Sequence, residues 1–152
     1  MLMHVRIAAL EDVPALIRLY RHLNPSDDDA GLEDAERSFN LLKAYPGSGI
    51  FVGCYDGNVV CTCTLIVIPN ITRAGSPYAL IENVVTHGEH RNKGYGKMVI
   101  DQAVKAAWNV NCYKVMLMTG SQRPAVHNFY RAAGFEQNKT GFQIRRAPER
   151  RS

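Results

Sequence analysis

The sequence predicts one α/β (α+β) domain in which a mixed sheet is flanked by helices. Asp56 and Gly57 separate two apolar runs, and an Asp-Gly pair in that setting indicates an antiparallel hairpin. Further along, a strand pattern, a helix pattern and a second strand pattern succeed one another. That order indicates a parallel strand pair joined by a right-handed crossover. Helix patterns on either side of the hairpin would cover the sheet, so the elements share one core.

The first half of the chain supplies one strand, two helices and the hairpin. Residues 3–9 alternate apolar and polar side chains, as a half-buried strand does. Residues 11–23 begin with acidic side chains and Pro14, which favours a helix starting there. A second helix pattern covers residues 32–45, and the hairpin strands are predicted at residues 50–55 and 59–69.

The second half begins with a strand at residues 78–87, apolar almost throughout except for Glu82 and Asn83. A helix pattern at residues 97–110 follows. Residues 113–120 form a continuous apolar run, as expected of a strand buried on both faces. The chain closes with a helix pattern at residues 123–135, ended by Gly134, and a strand pattern at residues 141–146.

The composition of the 152 residues is that of a globular protein, with 46% hydrophobic and 21% charged residues. No apolar run reaches the roughly 18 residues that cross a membrane, and the N-terminus lacks the layout of a signal peptide. We therefore expect a cytoplasmic protein with no membrane partner.

Four cysteines are expected to be reduced, buried thiols, and no second pair stands at the spacing of a zinc site, so no metal is expected. These are Cys54, Cys61, Cys63 and Cys112. The net charge of +4 comes largely from the C-terminus. We place the domain at residues 1–146 and a basic tail at residues 147–152. Interleaved aromatic residues are missing from that tail, so no nucleic-acid partner is expected.

Residues 90–98, HRNKGYGKM, join a predicted strand to a predicted helix. The first N–H groups of a helix lack partners and the helix dipole adds positive charge, so this junction suits an anion. Gly94 and Gly96 would let a bulky anion reach the backbone. Three basic residues add charge: Arg91, Lys93 and Lys97. A glycine-rich turn with exposed cations is the alternative.

Two common phosphate motifs do not fit this junction. A Walker loop needs Ser or Thr where Met98 stands, and a dinucleotide fingerprint needs glycine where Val99 stands. The remaining pattern, Arg91-x-x-Gly94-x-Gly96, resembles motif A of the GNAT superfamily of N-acetyltransferases. Downstream, FYRAAGF at residues 129–135 resembles the tyrosine helix of that family, and the order of elements is similar over most of the chain.

The resemblance implies a GNAT fold, mostly antiparallel with a splayed central strand pair, and acetyl-coenzyme A as co-substrate. The pantetheine arm would pair with the strand at Val84 and Val85. Where many members carry asparagine, Arg123 stands here, and its guanidinium could reach a coenzyme phosphate. The pyrophosphate would be bound by the N–H groups of residues 91–97, namely Arg91, Asn92, Lys93, Gly94, Tyr95, Gly96 and Lys97.

Acetyl transfer to an amine mostly needs positioning and control of protons. The resemblance implies that Tyr130 protonates the departing sulfur. Glu82 is the candidate base, because a lone carboxylate in a mostly buried strand is unusual, and an ion pair is the alternative. A backbone N–H near Val84 or Val85 is the candidate donor to the developing oxyanion. Three histidines are less favoured bases: His87, His90 and His127.

Two further segments concern the acceptor. They resemble segments of the glucosamine-phosphate N-acetyltransferases and read LIENVVTHGEHRNKGYGK and NCYKVML. The implied activity is the direct attack of a small molecule's primary amine on the acetyl group, within a ternary complex. The acceptor expected first is an amino-sugar phosphate. A protein amine stays open as acceptor, and so does a module that binds acyl-coenzyme A without turnover. Dimers are frequent among similar proteins, so a homodimer is an open expectation.

Overall fold

The computed structural model describes residues 2–149, which build a five-stranded sheet of order β1-β2-β3-β4-β5. The first four strands are antiparallel neighbours, and β5 runs parallel to β4. The mixed, mostly antiparallel sheet is thereby confirmed. The strands are β1 (His4–Ile7), β2 (Gly49–Tyr55), β3 (Asn58–Ile68), β4 (Tyr78–Thr86) and β5 (Val115–Met116).

Helices cover both faces of the sheet, and each of the four long predicted helices is present with slightly shifted ends. They are α1 (Val13–Tyr20), α2 (Leu32–Lys43), the single turn α3 (Thr72–Gly75), α4 (Tyr95–Asn109) and α5 (Pro124–Ala132). Short 3-10 turns precede α1 and α4, at Leu10–Asp12 and Gly88–His90. Across residues 2–149, none of these helices combines the length and the apolar character that a membrane crossing requires.

The sheet separates two hydrophobic clusters. Helices α1 and α2 bury the smaller cluster, which comprises Ala8, Val13, Leu16, Phe39, Val52 and Cys54. Helix α4 buries the larger one on the opposite face, with Leu65, Ile81, Ile100 and Ala103 at its centre. All four cysteines are free and buried, which confirms the expected thiols. Burial raises the pKa of Cys61 and Cys63 to about 12, so both remain protonated.

The Asp-Gly pair forms the turn of the β2–β3 hairpin. Asp56 and Gly57 have φ values of 51° and 75°, and Tyr55 pairs with Asn58 across the turn. Two consecutive left-handed residues match the twist of an antiparallel hairpin, which is why Asp-Gly is favoured there. The predicted hairpin is confirmed, and it sets β3 beside β4.

Two predicted strands are corrected. Residues 113–120 were expected to form a strand buried on both faces, but the β4–β5 ladder holds only two residue pairs and Met118 is 69% exposed. Residues 141–146 form no strand within the described chain, and Phe142 and Ile144 are 94% and 99% exposed. An apolar run is buried on both sides only if other residues cover both sides. Residues 2–149 of one chain leave Met118, Phe142 and Ile144 uncovered. Residues 150–152 of the predicted tail lie outside the described residues.

Candidate active site

The sheet opens between β4 and β5. Ala79 pairs with Val115 and Leu80 with Met116, and the strands share no further pair among residues 2–149. From residue 81 onward, β4 therefore has no strand partner on this edge. Such an edge can bind an extended chain through main-chain hydrogen bonds. Both valines predicted to contact the pantetheine arm, Val84 and Val85, lie on this open stretch.

A bulge interrupts β4 at Asn83. The register with β3 shifts between Thr62 and Thr64, where β4 carries one residue more than its neighbour. Asn83 has a φ of 52°, in the left-handed region that asparagine tolerates better than most residues. Bulges leave a residue unpaired and re-aim its neighbours. The strict alternation of side chains along β4 is therefore interrupted at Asn83.

Glu82 is exposed, on the face of the sheet that α1 covers. The premise of a buried carboxylate is therefore corrected: Glu82 and Asn83 are exposed at the bulge, between the buried side chains of Ile81 and Val85. Across the ladder Glu82 pairs with Thr64, which is buried and hydrogen-bonded to the hydroxyl of Tyr20. Burial raises the pKa of Tyr20, and the bond to Thr64 opposes that rise in part. Sequence reasoning missed Tyr20 and Thr64, because both look like core positions.

Tyr130 is carried by α5 and is half buried. Its ring packs against Phe129 at 5.1 Å and Phe135 at 6.4 Å between centroids. Burial raises the pKa of the phenol, and the nearby groups Cys63 and Glu82 raise it further. The phenol therefore keeps its proton at neutral pH, and the charge of Glu82 acts on it. The rings of Phe129 and Tyr130 both pack against the larger cluster.

The turn before α4 contains two left-handed residues, Asn92 with φ 62° and Gly94 with φ 80°. Gly94 is the residue that precedes α4, and a Cβ on it would meet no atom within 4 Å. The first helical hydrogen bond runs from the N–H of Met98 to the carbonyl of Gly94, 3.2 Å. Earlier N–H groups of α4 have no helical acceptor and point into this open space. A helix N-terminus after left-handed turns fits a pyrophosphate.

Gly96 has a different role from the predicted one. A Cβ on it would lie 3.1 Å from Cζ of Phe129 and 3.3 Å from Oγ1 of Thr86. Its missing side chain therefore makes room for α5 and β4, and not for an anion. Only Gly94 faces open space, so the expectation that both glycines admit the ligand is corrected for Gly96.

Two of the three predicted cations are bound by the protein. Lys97 Nζ lies 2.8 Å from Asp101 Oδ2, one helical turn along α4. Arg91 donates hydrogen bonds of 3.3 Å to the carbonyl oxygens of Thr86 and His22. Arg91 thereby ties the turn to the ends of β4 and α1. The predicted cation Lys93 is exposed at the surface.

Arg123 is exposed and stands immediately before α5, where its N–H donates to Ser121 Oγ at 3.3 Å. His127 Nε2 lies 2.6 Å from the carbonyl oxygen of the same serine. These contacts fix the start of the helix that carries Tyr130. His87 and His90 lie beside His22 at the beginning of the turn, away from Glu82 along β4. Within residues 2–149, no three His, Cys, Asp or Glu side chains are grouped so that they could hold a metal ion.

Comparisons with known proteins agree on one family. The model of the acetyltransferase (GNAT) family matches residues 13–135. A glucosamine 6-phosphate N-acetyltransferase of Trypanosoma brucei brucei is 26% identical over 142 residues, covering 93% of this chain and 95% of that protein.

Solved structures agree as well. A chain assigned as an acetyltransferase, from Agrobacterium tumefaciens str. C58, is 50% identical, with a TM-score of 0.89, over 94% of this chain and 99% of that one. The glucosamine-6-phosphate N-acetyltransferase of Arabidopsis thaliana shares the fold at 20% identity, with a TM-score of 0.87, over 97% of this chain and 100% of that one. The family model spans most of the chain, including the turn, β4 and α5, and so this protein belongs to the acetyltransferase (GNAT) family.

Proposed function

We propose that this N-acetyltransferase moves an acetyl group from acetyl-coenzyme A to the primary amine of a small molecule by direct attack in a ternary complex. Members of the family use acetyl-coenzyme A as co-substrate. The observation that carries the proposal is the open edge of β4. It runs from the anion-binding turn to the bulge at Asn83, with Glu82 and Tyr130 beside it.

The turn and the open edge have separate tasks in binding. The N–H groups at the start of α4 and the left-handed turn before it hold the pyrophosphate. The main chain at Val84 and Val85 pairs with the extended pantetheine arm. Lys93 and Arg123, both exposed, are the cations that can reach the phosphates. Arg91 acts on the loop, because its guanidinium is engaged by two carbonyl groups.

Three groups of this chain control the chemistry. Bound acetyl-coenzyme A supplies an activated acyl group. The exposed carboxylate of Glu82 accepts a proton from the incoming amine, directly or through water, so that the amine can attack. A backbone N–H at Val84 or Val85, re-aimed by the bulge, donates to the carbonyl oxygen as it becomes negative. The phenol of Tyr130, kept protonated by its surroundings, delivers a proton to the leaving sulfur.

An amino-sugar phosphate is the first acceptor we propose. The relative from Trypanosoma brucei brucei, which matches nearly the whole chain, is named for glucosamine 6-phosphate. The acceptor side is the face covered by α1 and α2, where Glu82, Thr64 and Tyr20 lie together. Hydroxyl groups and a carboxylate suit a ligand that carries both hydroxyls and an ammonium group.

The decisive experiment measures release of free coenzyme A with a panel of acceptors. Glucosamine 6-phosphate should be turned over faster than glucosamine, and glucose 6-phosphate, which has no amine, should give no release above background. Preference for a peptide N-terminus would replace the small-molecule acceptor with a protein amine. Tight binding of acetyl-coenzyme A without turnover of any amine would contradict the enzyme and favour a module that only binds the coenzyme.

We also propose a homodimer, with a second copy covering the segment 141–146. Phe142 and Ile144 of this segment are almost fully exposed. The segment passes next to the continuation of β5, since a Cβ on Gly141 would lie 3.1 Å from Sδ of Met118. A row of exposed apolar side chains next to an open sheet edge favours pairing with a second chain. Light scattering should give a dimer mass that Phe142→Ser with Ile144→Ser reduces to the monomer. A monomeric native protein would refute this assembly.

The compartment we propose is the cytoplasm. Four free thiols, all buried, suit a reducing environment. Fractionation of cells that produce the protein would test this location, and recovery in an oxidising compartment would contradict it.

A further inference from the structure

His22 connects the end of α1 to the beginning of the coenzyme-binding turn. Its ring nitrogen Nδ1 accepts a hydrogen bond of 3.3 Å from the N–H of Gly88. Its carbonyl oxygen accepts one of 3.3 Å from Arg91 Nη2. The ring also lies 4.0 Å from that of His87, between centroids. One residue of the turn that follows α1 thus contacts both Gly88 and Arg91, in the segment that joins β4 to the anion site.

The first of these contacts depends on the protonation of the imidazole. A nitrogen can accept a hydrogen bond only while it carries no proton, so His22 must be neutral with its proton on Nε2. His87 has the same requirement, because its Nδ1 accepts 3.1 Å from the N–H of Glu89. Protonating His22 would turn an acceptor into a donor that faces the N–H of Gly88. It would also place a cation against the ring of His87 and beside Arg91.

We propose that His22 is a positioning residue for the coenzyme-binding turn and acts only as the neutral imidazole, so that acidification weakens coenzyme binding. The inference rests on the proposed function, because the turn must bind coenzyme A for its affinity to change. Proton uptake at His22 releases Gly88, and the turn between β4 and α4 is then held at one end by Arg91 alone.

The charges around His22 act in the same direction. Its pKa lies below its usual value of 6.5, first because of burial, then because of His87 and Arg91, with Glu89 opposing them. Arg18 of α1 and Arg21, just after that helix, line the same open cavity of about 390 Å³ as His22 and His87. Arg21 is paired with Asp29. Asn58 of β3 lines the same cavity, and the ring of His90 in the 3-10 turn lies 5.7 Å from that of His87, between centroids. The rings of Tyr55 and Tyr95 in turn pack against His90.

The direction of the pH effect follows from the lowered pKa. A base whose pKa is lower in the folded protein contributes its stabilisation fully above its ordinary pKa of 6.5. That stabilisation is lost as the pH falls through the folded-state pKa. Because one proton is involved, the dissociation constant should rise by at most about tenfold for each pH unit below that point.

The test is calorimetric titration with 3′-dephospho-coenzyme A at several pH values from about 7.5 to about 5.5. This ligand keeps the pyrophosphate and lacks the monophosphate, whose second ionisation near about pH 6 would otherwise confuse the result. The native protein should bind progressively more weakly as the pH falls. His22→Asn replaces Nδ1 with an oxygen that accepts but does not titrate. Its affinity should stay near the native value at about pH 7.5 and fall less steeply on acidification than that of the native protein, because only His87 of the pair still titrates.

Two further variants complete the comparison. His22→Leu removes the acceptor and should weaken binding about fivefold at every pH, the equivalent of one net hydrogen bond. His4→Asn changes an exposed histidine on β1 and should keep the native pH dependence. Native pH dependence in His22→Asn, or native affinity in His22→Leu, would overturn the inference.

The ligand-free protein gives a second, independent readout. On acidification, the NMR signal of the Gly88 amide should move with the titration of the His22 ring, and its hydrogen exchange should accelerate. An amide that does not respond contradicts the inference even if binding varies with pH. Failure of the native protein to bind the ligand at about pH 7.5, with the Gly88 amide responding as expected, would instead refute the coenzyme site of the proposed function.

Discussion

Gly96 lies against the ring of Phe129, so closely that a Cβ on the glycine would come within 3.1 Å of Cζ of the phenylalanine. The two sequence motifs that identified the family are therefore in direct contact. One forms the N-terminus of α4, and the other carries Tyr130 on α5. The glycine lets α5 approach the turn, which places Tyr130 close to the open edge of β4.

Gly96→Ala should destabilise the protein, because the new methyl group presses on Phe129 and Thr86. Overpacking of this kind costs about 1–3 kcal/mol, measurable as the free energy of unfolding in urea. Gly96→Ala combined with Phe129→Leu should recover part of that loss by removing the ring atom that clashes. Equal stability of Gly96→Ala and the native protein would show that α5 can shift without cost.

Gly94→Asp should weaken acetyl-coenzyme A binding by roughly 100-fold, since a carboxylate facing a pyrophosphate costs several kcal/mol. Gly57→Asp is a matched control, because that glycine also has a positive φ of 75° and open space around it. The control should lose similar stability to backbone strain and keep its affinity. Equilibrium dialysis measures the acetyl-coenzyme A affinity of both variants. An unchanged affinity in Gly94→Asp would refute the anion site.

Tyr130→Phe should lower kcat by about 100-fold, a typical effect of a general acid, and leave coenzyme affinity within a few-fold. The pKa of this phenol lies above its usual value of 10.0, first because of burial and then because of Cys63 and Glu82. Its proton is therefore retained as the pH rises, and native kcat should not fall until the pH passes 10.0. Steady-state kinetics against pH checks this, with Tyr45→Phe, an exposed tyrosine, as control. Undiminished turnover in Tyr130→Phe would rule out the acid role.

Glu82→Gln should reduce kcat/KM by about 100-fold near neutral pH, because the glutamine cannot accept a proton from the amine. Part of the loss should disappear at higher pH, where the amine deprotonates in solution. The control is Glu36→Gln, a carboxylate on α2. A native rate in Glu82→Gln would assign deprotonation to water.

Asp12→Asn should destabilise the protein by about 1 kcal/mol near neutral pH. The guanidinium of Arg6 lowers the pKa of Asp12, and the N–H of Ala9, at 2.7 Å, adds to that. A carboxyl group with a lowered pKa stabilises the fold above its ordinary value of 3.8 and loses that effect as the pH falls through the folded-state value. Urea unfolding across the acid range should therefore show the native protein and the variant converging. A constant difference would mean that the pair is not the cause.

The sequence was most informative where one local signal decides the structure. Asp56-Gly57 predicted the hairpin because few residue pairs adopt two left-handed conformations in succession. The strand at residues 113–120 failed because burial depends on what covers the run, and the short β4–β5 ladder leaves most of it uncovered. No local sequence signal indicates whether another surface covers such a run.

In the site, too, local signals were informative and contacts between distant residues were not predicted. Glu82 and Tyr130 were predicted as site residues from their residue types and motif, and in the structure the charge of Glu82 acts on the phenol of Tyr130. Asn83 was read as a normal strand residue, since asparagine in a strand does not by itself indicate a bulge. His22 was not identified because its role depends on a contact with Gly88, distant in sequence.

The extra residue in β4 reverses the parity of the strand. In an uninterrupted strand Ile81 and Val84 would project to opposite sides, whereas here both enter the larger cluster, and Glu82 is left facing the other way. Deleting Asn83 would therefore do more than shorten β4. Every side chain beyond it would be inverted, placing Val84 under α1 and Val85 under α4 and carrying the turn to the wrong side of the sheet. A single extra residue thus sets which face of the sheet each side chain on either side of the bulge occupies.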